Sequence, residues 1–163
     1  MSAAAGAPGK APRRSLAVRN LQHTRPVASR LLRRIARALL EELLGKDAFD
    51  LNVLLVDARR ITRLNEQFLK HQGPTDVLAF DYTGAAQPEA LAGEICVCVD
   101  EAVKQARRFR TNWQTELVRY TVHGVLHLCG YDDQKAGARR EMKQVEKRLL
   151  LELSRRFSFK GLG

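Results

Sequence analysis

Residues 123–133 of the chain read His-Gly-Val-Leu-His-Leu-Cys-Gly-Tyr-Asp-Asp, a run that combines two histidines, a glycine and two carboxylates. His123 and His127 are four positions apart, so on a helix their rings lie one above the other on the same face. Gly130 is a typical helix C-cap, and the turn that it permits can bring Asp133 back to the same ion. Two histidines, one carboxylate and an open position form a catalytic zinc set, whereas a structural site usually closes all four positions with cysteine.

Two histidines at this spacing, taken alone, are more often ordinary core or surface residues than metal ligands. Zinc proteases of the His-Glu-x-x-His type carry their general base directly after the first histidine. Gly124 occupies that position here, which argues against a conventional zinc protease. The carboxylates that can act as a base instead are Asp76, Glu94 and Asp132, and the sequence does not choose among them. Asp132 can equally be a turn residue or hold a histidine tautomer.

The 123–133 run resembles the signature of the YbeY family, His-Gly-x-Leu-His-Leu-x-Gly-Tyr-Asp-His, at ten of eleven positions when the two free ones are counted. Upstream, residues 74–80 (Pro-Thr-Asp-Val-Leu-Ala-Phe) resemble the family's Pro-Thr-Asp-Val-Leu-Ser-Phe, and residues 93–95 (Gly-Glu-Ile) resemble its Gly-Asp-Ile. Met142 follows the metal motif, as is usual in the family. The resemblance covers about residues 15–153.

The resemblance implies a zinc-dependent single-strand endoribonuclease that acts in ribosomal RNA maturation and ribosome biogenesis. It implies one Zn²⁺ per chain, held by His123, His127 and Asp133, and it implies single-stranded ribosomal RNA and the small ribosomal subunit as partners. The alternative is a non-catalytic ribosome-assembly or quality-control factor that retains the metal site.

Two departures from the family pattern keep that alternative open. Asp133 stands where the family has a third histidine, and this adds a negative charge that makes a bound water less acidic and favours harder ions. Leu69 stands where the family usually has an arginine, so Lys70 is the residue predicted to contact RNA.

The charge of the chain also favours a polyanion as partner, although solubility alone can explain a basic surface. The formal net charge is +10, from 28 Lys and Arg against 18 Asp and Glu over 163 residues. Residues 1–40 contain no acid, a composition that organelle transit peptides share. Further basic candidates for RNA binding are Arg59, Arg60, Arg63 and Arg107, and the aromatic candidates for base stacking are Tyr82 and Trp113.

Compartment and membrane topology follow from composition. No apolar run approaches the roughly 20 residues that a membrane span needs, so we expect no transmembrane helix. No apolar segment of a secretory signal follows the start of the chain. Cys96, Cys98 and Cys129 are an odd number of thiols, which predicts reduced cysteines and a cytoplasmic location.

The periodicity of the chain predicts one domain, residues 15–163, behind a disordered basic tail, residues 1–14. Strands alternate with helices along the chain, which predicts an α+β fold with a small mixed, mostly parallel four-stranded sheet and about five helices. The metal site is expected at the end of a long helix. The predicted strands are 15–21, 51–56, 76–82 and 94–99, and the predicted helices begin near Pro26, Ala58, Glu101, Asn112 and Lys135.

Overall fold

The computed structural model describes residues 13–69, 72–73, 75–85 and 87–163. The described residues form the predicted α+β fold. The strands are β1 (Arg14–Asn20), β2 (Phe49–Val56), β3 (Val77–Asp81) and β4 (Leu91–Cys98). The helices are α1 (Ser29–Ala38), α2 (Ala58–Leu64), α3 (Val99–Phe109), α4 (Trp113–Leu128) and α5 (Ala136–Arg156). Single π-helical turns prolong α1 and α2, and a short 3-10 helix follows α5; they span Leu39–Leu43, Asn65–Leu69 and Phe159–Leu162.

The sheet has the order β1-β2-β4-β3, and this confirms the predicted mixed, mostly parallel arrangement. β1 and β4 both run parallel to β2, and β3 is an antiparallel edge strand beside β4. The predicted tail lies outside the described residues up to position 12, and Arg14 is the first residue of β1. Among the described residues, no helix has the length and apolar character needed to cross a membrane.

The two faces of the sheet carry different helices. Val53 of β2 and Ile95 of β4 belong to the main core, which α1, α4 and α5 cover. Side chains alternate along a strand, so Cys96 and Cys98 point to the other face, where they pack with Ile61 of α2 in a smaller cluster. The metal motif therefore lies on the face of the sheet opposite to α2, because it is on α4.

Helix α1 begins at Ser29, three residues later than predicted. The side chain of Gln22, only 2% exposed, organises the preceding loop. Its amide oxygen accepts from the backbone N–H groups of Thr24 and Arg25, and its amide nitrogen donates to the carbonyl of Arg25. Because these bonds hold residues 22–25 in a non-helical conformation, Pro26 cannot serve as the first helical residue.

Helix α4 packs directly against the sheet at Gly124, which leaves no room for a side chain. A Cβ at this position would be 2.6 Å from Cγ2 of Ile95 and 3.1 Å from Cγ2 of Val77. On the strand side, a Cβ on Gly93 would be 2.6 Å from the carbonyl oxygen of Phe80 and 2.8 Å from Leu128. These two glycines set the height of the histidine-bearing helix above β3 and β4.

We expect Gly124→Ala to lower the free energy of unfolding by about 1–3 kcal/mol, because the methyl group overpacks the contact with Ile95. Helix propensity alone predicts the opposite sign, a gain of about 1 kcal/mol. Gly137→Ala in α5 is the matched control, since a Cβ there meets nothing within 4 Å. Urea unfolding measures the free energy of unfolding of both variants. A Gly124→Ala protein at least as stable as Gly137→Ala would show that the added methyl group does not overpack the contact with Ile95.

Candidate metal centre

The two histidines come from consecutive turns at the end of α4. Asn112 caps the start of this helix: its side chain accepts a hydrogen bond of 2.9 Å from the backbone N–H of Thr115. Eleven residues on, His123 and His127 present their rings at the rim of the buried helix face, with 24% and 29% of their side chains exposed. Their Nε2 atoms are 3.0 Å apart, so both can bind one ion.

The turn after α4 brings the third predicted ligand to the histidines. Gly130 has a φ of +95°, a left-handed conformation that glycine adopts without strain. The backbone N–H of Tyr131 donates to the carbonyl of Leu126 at 3.1 Å, which folds the chain back over the helix end. As a result, Oδ2 of Asp133 lies 3.4 Å from Nε2 of both His123 and His127.

The remaining nitrogen of each ring has its own acceptor. Nδ1 of His123 lies 2.8 Å from Oε2 of Glu146, and Nδ1 of His127 lies 3.2 Å from the carbonyl oxygen of Tyr131. Each Nδ1–H therefore donates to an oxygen, which leaves both Nε2 lone pairs free for an ion. Sequence reasoning missed Glu146. Its spacing offered a signal: Glu146 comes one helical turn after Met142, so the two lie on the same face of α5. Met142 is buried, and that face is therefore turned toward the site.

The donor set fits a transition-metal ion. The three ligand atoms form a triangle with edges of 3.0, 3.4 and 3.4 Å. Tetrahedral zinc with bonds of about 2.0–2.1 Å separates its ligands by roughly 3.4 Å, so little movement is required. Among the described residues, His123, His127 and Asp133 are the group of three that can hold a metal ion.

Acidic neighbours control the protonation of His123. Burial lowers the pKa of this imidazole, but the hydrogen bond to Glu146 and the charges of Glu146, Asp76 and Asp133 outweigh it and raise the pKa above its ordinary value. A proton therefore competes with a metal ion for His123 over a wider pH range than at an ordinary histidine.

A cavity of about 220 Å³ opens beside the three ligands. Asp76, which directly precedes β3, forms part of its wall, and Oδ1 of Asp76 accepts the backbone N–H of Val77 at 2.8 Å. Of the three carboxylates considered as a base, this is the one that the structure brings to the ligands. The cavity is lined by Asp76, His123, Asp133, Arg139, Met142, Lys143 and Glu146.

The other two carboxylates lie elsewhere. Glu94 points to the α2 face of the sheet, where it lines a separate groove of about 510 Å³ together with Arg60 and Arg63. Asp132 is exposed, and its side chain accepts the backbone N–H of Gln134 at 2.9 Å. Asp132 is thus a turn residue, the plainer of its sequence interpretations.

The predicted RNA-binding residues are scattered over the surface. Lys70 lies outside the described residues. Arg60, Arg63 and Tyr82 line the α2 groove, whereas Arg59 on α2 and Arg107 on α3 are exposed. Trp113 is half-buried, and the guanidinium of Arg25 stacks 4.9 Å from its ring. The structure therefore brings none of the described members of this set into the metal cavity.

Neither buried thiol of β4 belongs to the group of described residues that can hold a metal ion. Burial raises the pKa of both Cys96 and Cys98 to about 11, so both are protonated at neutral pH. Both also lie on the face of β4 that is turned away from α4.

Comparisons with known proteins agree on one family. The sequence model described as "Endoribonuclease YbeY" matches residues 17–154 of the chain. A protein named Endoribonuclease YbeY from Chlorobium luteolum is 38% identical over 68% of this chain and 79% of its own length. A protein of the same name from Chlorobium phaeovibrioides is 38% identical over 73% of this chain and 78% of its own length. A solution structure from Thermotoga maritima superposes with a TM-score of 0.60 at 30% identity, covering 85% of this chain and 88% of that one.

We expect Glu146→Ala to weaken zinc binding by about 10- to 100-fold, because His123 loses the acceptor that fixes its tautomer and raises its basicity. Glu146→Gln should fall between the wild type and Glu146→Ala, since its amide oxygen can still accept from Nδ1. Competition with a chromogenic chelator measures the affinity.

Glu141→Ala is the control for this prediction, because Glu141 is an exposed carboxylate on the same helix. It should leave zinc affinity unchanged within about twofold. Equal affinities of Glu146→Ala and Glu141→Ala would show that Glu146 does not support the ligand.

Proposed function

Because this chain belongs to the YbeY endoribonuclease family, we propose that it is a zinc-dependent endoribonuclease that cleaves single-stranded RNA during ribosomal RNA maturation. The observation that carries this proposal is the triangle of Nε2 atoms of His123 and His127 with Oδ2 of Asp133, open on one side to a cavity. An open coordination position is what distinguishes a catalytic zinc ion from a structural one.

In the proposed site, His123, His127 and Asp133 would hold one zinc ion per chain. When bound, such an ion supplies Lewis acidity, which lowers the pKa of water and polarises a phosphoryl oxygen. Glu146 and the carbonyl of Tyr131 orient the two rings, as their contacts with Nδ1 require. Asp76 is the proposed proton acceptor, because its carboxylate faces the same cavity as the ligands.

The proposed substrate and location follow from the family and from charge. The net charge of +10 favours the phosphate backbone of RNA as partner. A role in ribosome biogenesis implies contact with the small ribosomal subunit in the cytoplasm. These finer assignments rest on the resemblance of the 123–133 run to the family signature rather than on the cavity itself.

A second candidate function is a non-catalytic ribosome-assembly factor that keeps the ion as scaffolding. It is favoured by Asp133, which replaces a histidine of the family signature, and by Leu69, which is 50% exposed where the family usually has arginine. Both functions require RNA or ribosome binding, but the nuclease alone requires His123 for turnover.

We expect the purified protein to contain one equivalent of zinc and to cleave single-stranded RNA, and we expect His123→Ala to reduce cleavage by at least about 100-fold. Elemental analysis and gel-based cleavage of a labelled oligoribonucleotide measure the two properties. His23→Ala is the control, since His23 is an exposed histidine in the loop before α1. RNA binding without cleavage, unaffected by His123→Ala, would instead contradict the nuclease and favour the non-catalytic function.

The charge of Asp133 should also appear in the pH dependence of cleavage. A third neutral ligand would leave more positive charge at the site, which would lower the pKa of a group that the ion activates. We therefore expect the rising limb of kcat/KM in Asp133→His to lie at lower pH than in the wild type, whereas Asp133→Ala loses zinc. A limb that stays in place would mean that the charge of residue 133 does not set the pKa that controls the rate.

A further inference from the structure

We propose that Lys143 of α5 binds a phosphate of the RNA beside the metal centre, an inference that rests on the proposed nuclease function and names a contact of the same site. Lys143 lines the cavity together with His123 and Asp133. Its side chain is exposed, and within the described part of the chain it has neither a hydrogen-bond partner nor an ion-pair partner.

Helix α5 presents three charged side chains to the cavity. Arg139, Lys143 and Glu146 follow one another at intervals of four and three residues, so they lie along one face of the helix. Glu146 at one end holds His123, as described above. The cavity is thus bordered along one side by α5, with Lys143 at the centre of that border.

Arg139, the other cation of the cavity, already has partners. Its Nε donates to the carbonyl of Asp133 at 2.9 Å, and its Nη2 donates to the carbonyl of Gln134 at 3.2 Å. Arg139 therefore fastens the loop that carries Asp133 to the first turn of α5. Lys143 is the cavity cation whose donors remain available, and a lysine ammonium is a common point-charge ligand of phosphate.

Lys143 determines whether the metal-loaded cavity carries a net positive charge. Asp76, Asp133 and Glu146 contribute three negative charges, and Arg139 with Lys143 contributes two positive ones. A divalent ion brings the total to one positive charge, which suits a phosphodiester. Without Lys143 the cavity is neutral, and with a glutamate in its place the cavity repels the substrate.

Among the described residues, the arginines predicted to bind RNA do not line this cavity. Arg60 and Arg63 line a groove on the opposite face of the sheet from α4. Leu69 stands at the position where an arginine is usual in the family, and Lys70 beside it lies outside the described residues.

The test compares Lys143→Gln and Lys143→Glu with Lys147→Gln and Lys147→Glu in the full, zinc-loaded chain. Lys147 is an exposed lysine one turn further along α5 that does not line the cavity, so its variants reproduce each change in net charge. The probe is a short fluorescein-labelled single-stranded oligoribonucleotide with 2′-O-methyl groups, titrated by anisotropy at several salt concentrations. Zinc content and thermal unfolding verify that each variant is folded and loaded.

We expect Lys143→Gln to weaken binding about 3- to 10-fold and to reduce the salt slope by about 0.7, the value of one phosphate contact on a single strand. Lys143→Glu should weaken RNA binding further, whereas Lys143→Arg keeps the positive charge and should bind like the wild type. The affinities of the Lys147 variants should stay within about twofold of the wild type. In cleavage assays Lys143→Gln should raise KM more than it lowers kcat.

Lys143 and Lys147 variants with equal affinities and equal salt slopes would overturn the inference, as would a wild type that binds no RNA. If the wild type cleaves RNA and the two sets of variants are indistinguishable, this inference fails alone. If the wild type binds RNA through Lys143 and cleaves nothing, the proposed nuclease function fails alone.

Discussion

The contact between Gly124 of α4 and Ile95 of β4 is the constraint on which the site depends. With a Cβ at position 124 only 2.6 Å from Ile95, the helix would have to rise from the sheet or turn about its axis. Either movement would carry His123 and His127 away from Asp76, which the adjoining strand β3 holds in place. Close packing of a long helix on an edge of a small sheet thus sets the geometry of a site that lies just beyond that edge.

The site concentrates negative charge that the fold alone does not neutralise. Asp76, Asp133 and Glu146 meet around two imidazoles, and their charges raise the pKa of His123. A divalent ion bound there would reduce this repulsion, and its binding would then stabilise the folded domain. Two cations of α5 complement the ion: Arg139 holds the loop of Asp133, and Lys143 is the one proposed to meet the substrate.

The two faces of the sheet carry separate surfaces. The α4 face bears the metal cavity, whereas the α2 face bears buried thiols and a groove bordered by Arg60 and Arg63. Glu94 belongs to the second surface although it lies in a stretch that resembles the family signature. A carboxylate in a characteristic motif is therefore not a candidate base until its side of the strand is known, because neighbouring residues of a strand point to opposite faces.

The sequence by itself determined the features that depend on local geometry. The spacing of His123 and His127, the stop at Gly130 and the return of Asp133 all follow from helix periodicity and one glycine turn. Only the tertiary structure showed that Glu146, 23 residues away, orients His123, and that Asp76 faces the ligands. The structure also showed that α1 begins at Ser29 rather than at Pro26, because the buried side chain of Gln22 holds the preceding loop. The first two contacts join segments that are far apart in the chain, and the third overrides the local preference of proline for the first helical position. Neither kind of contact can be deduced from the periodicity of the sequence.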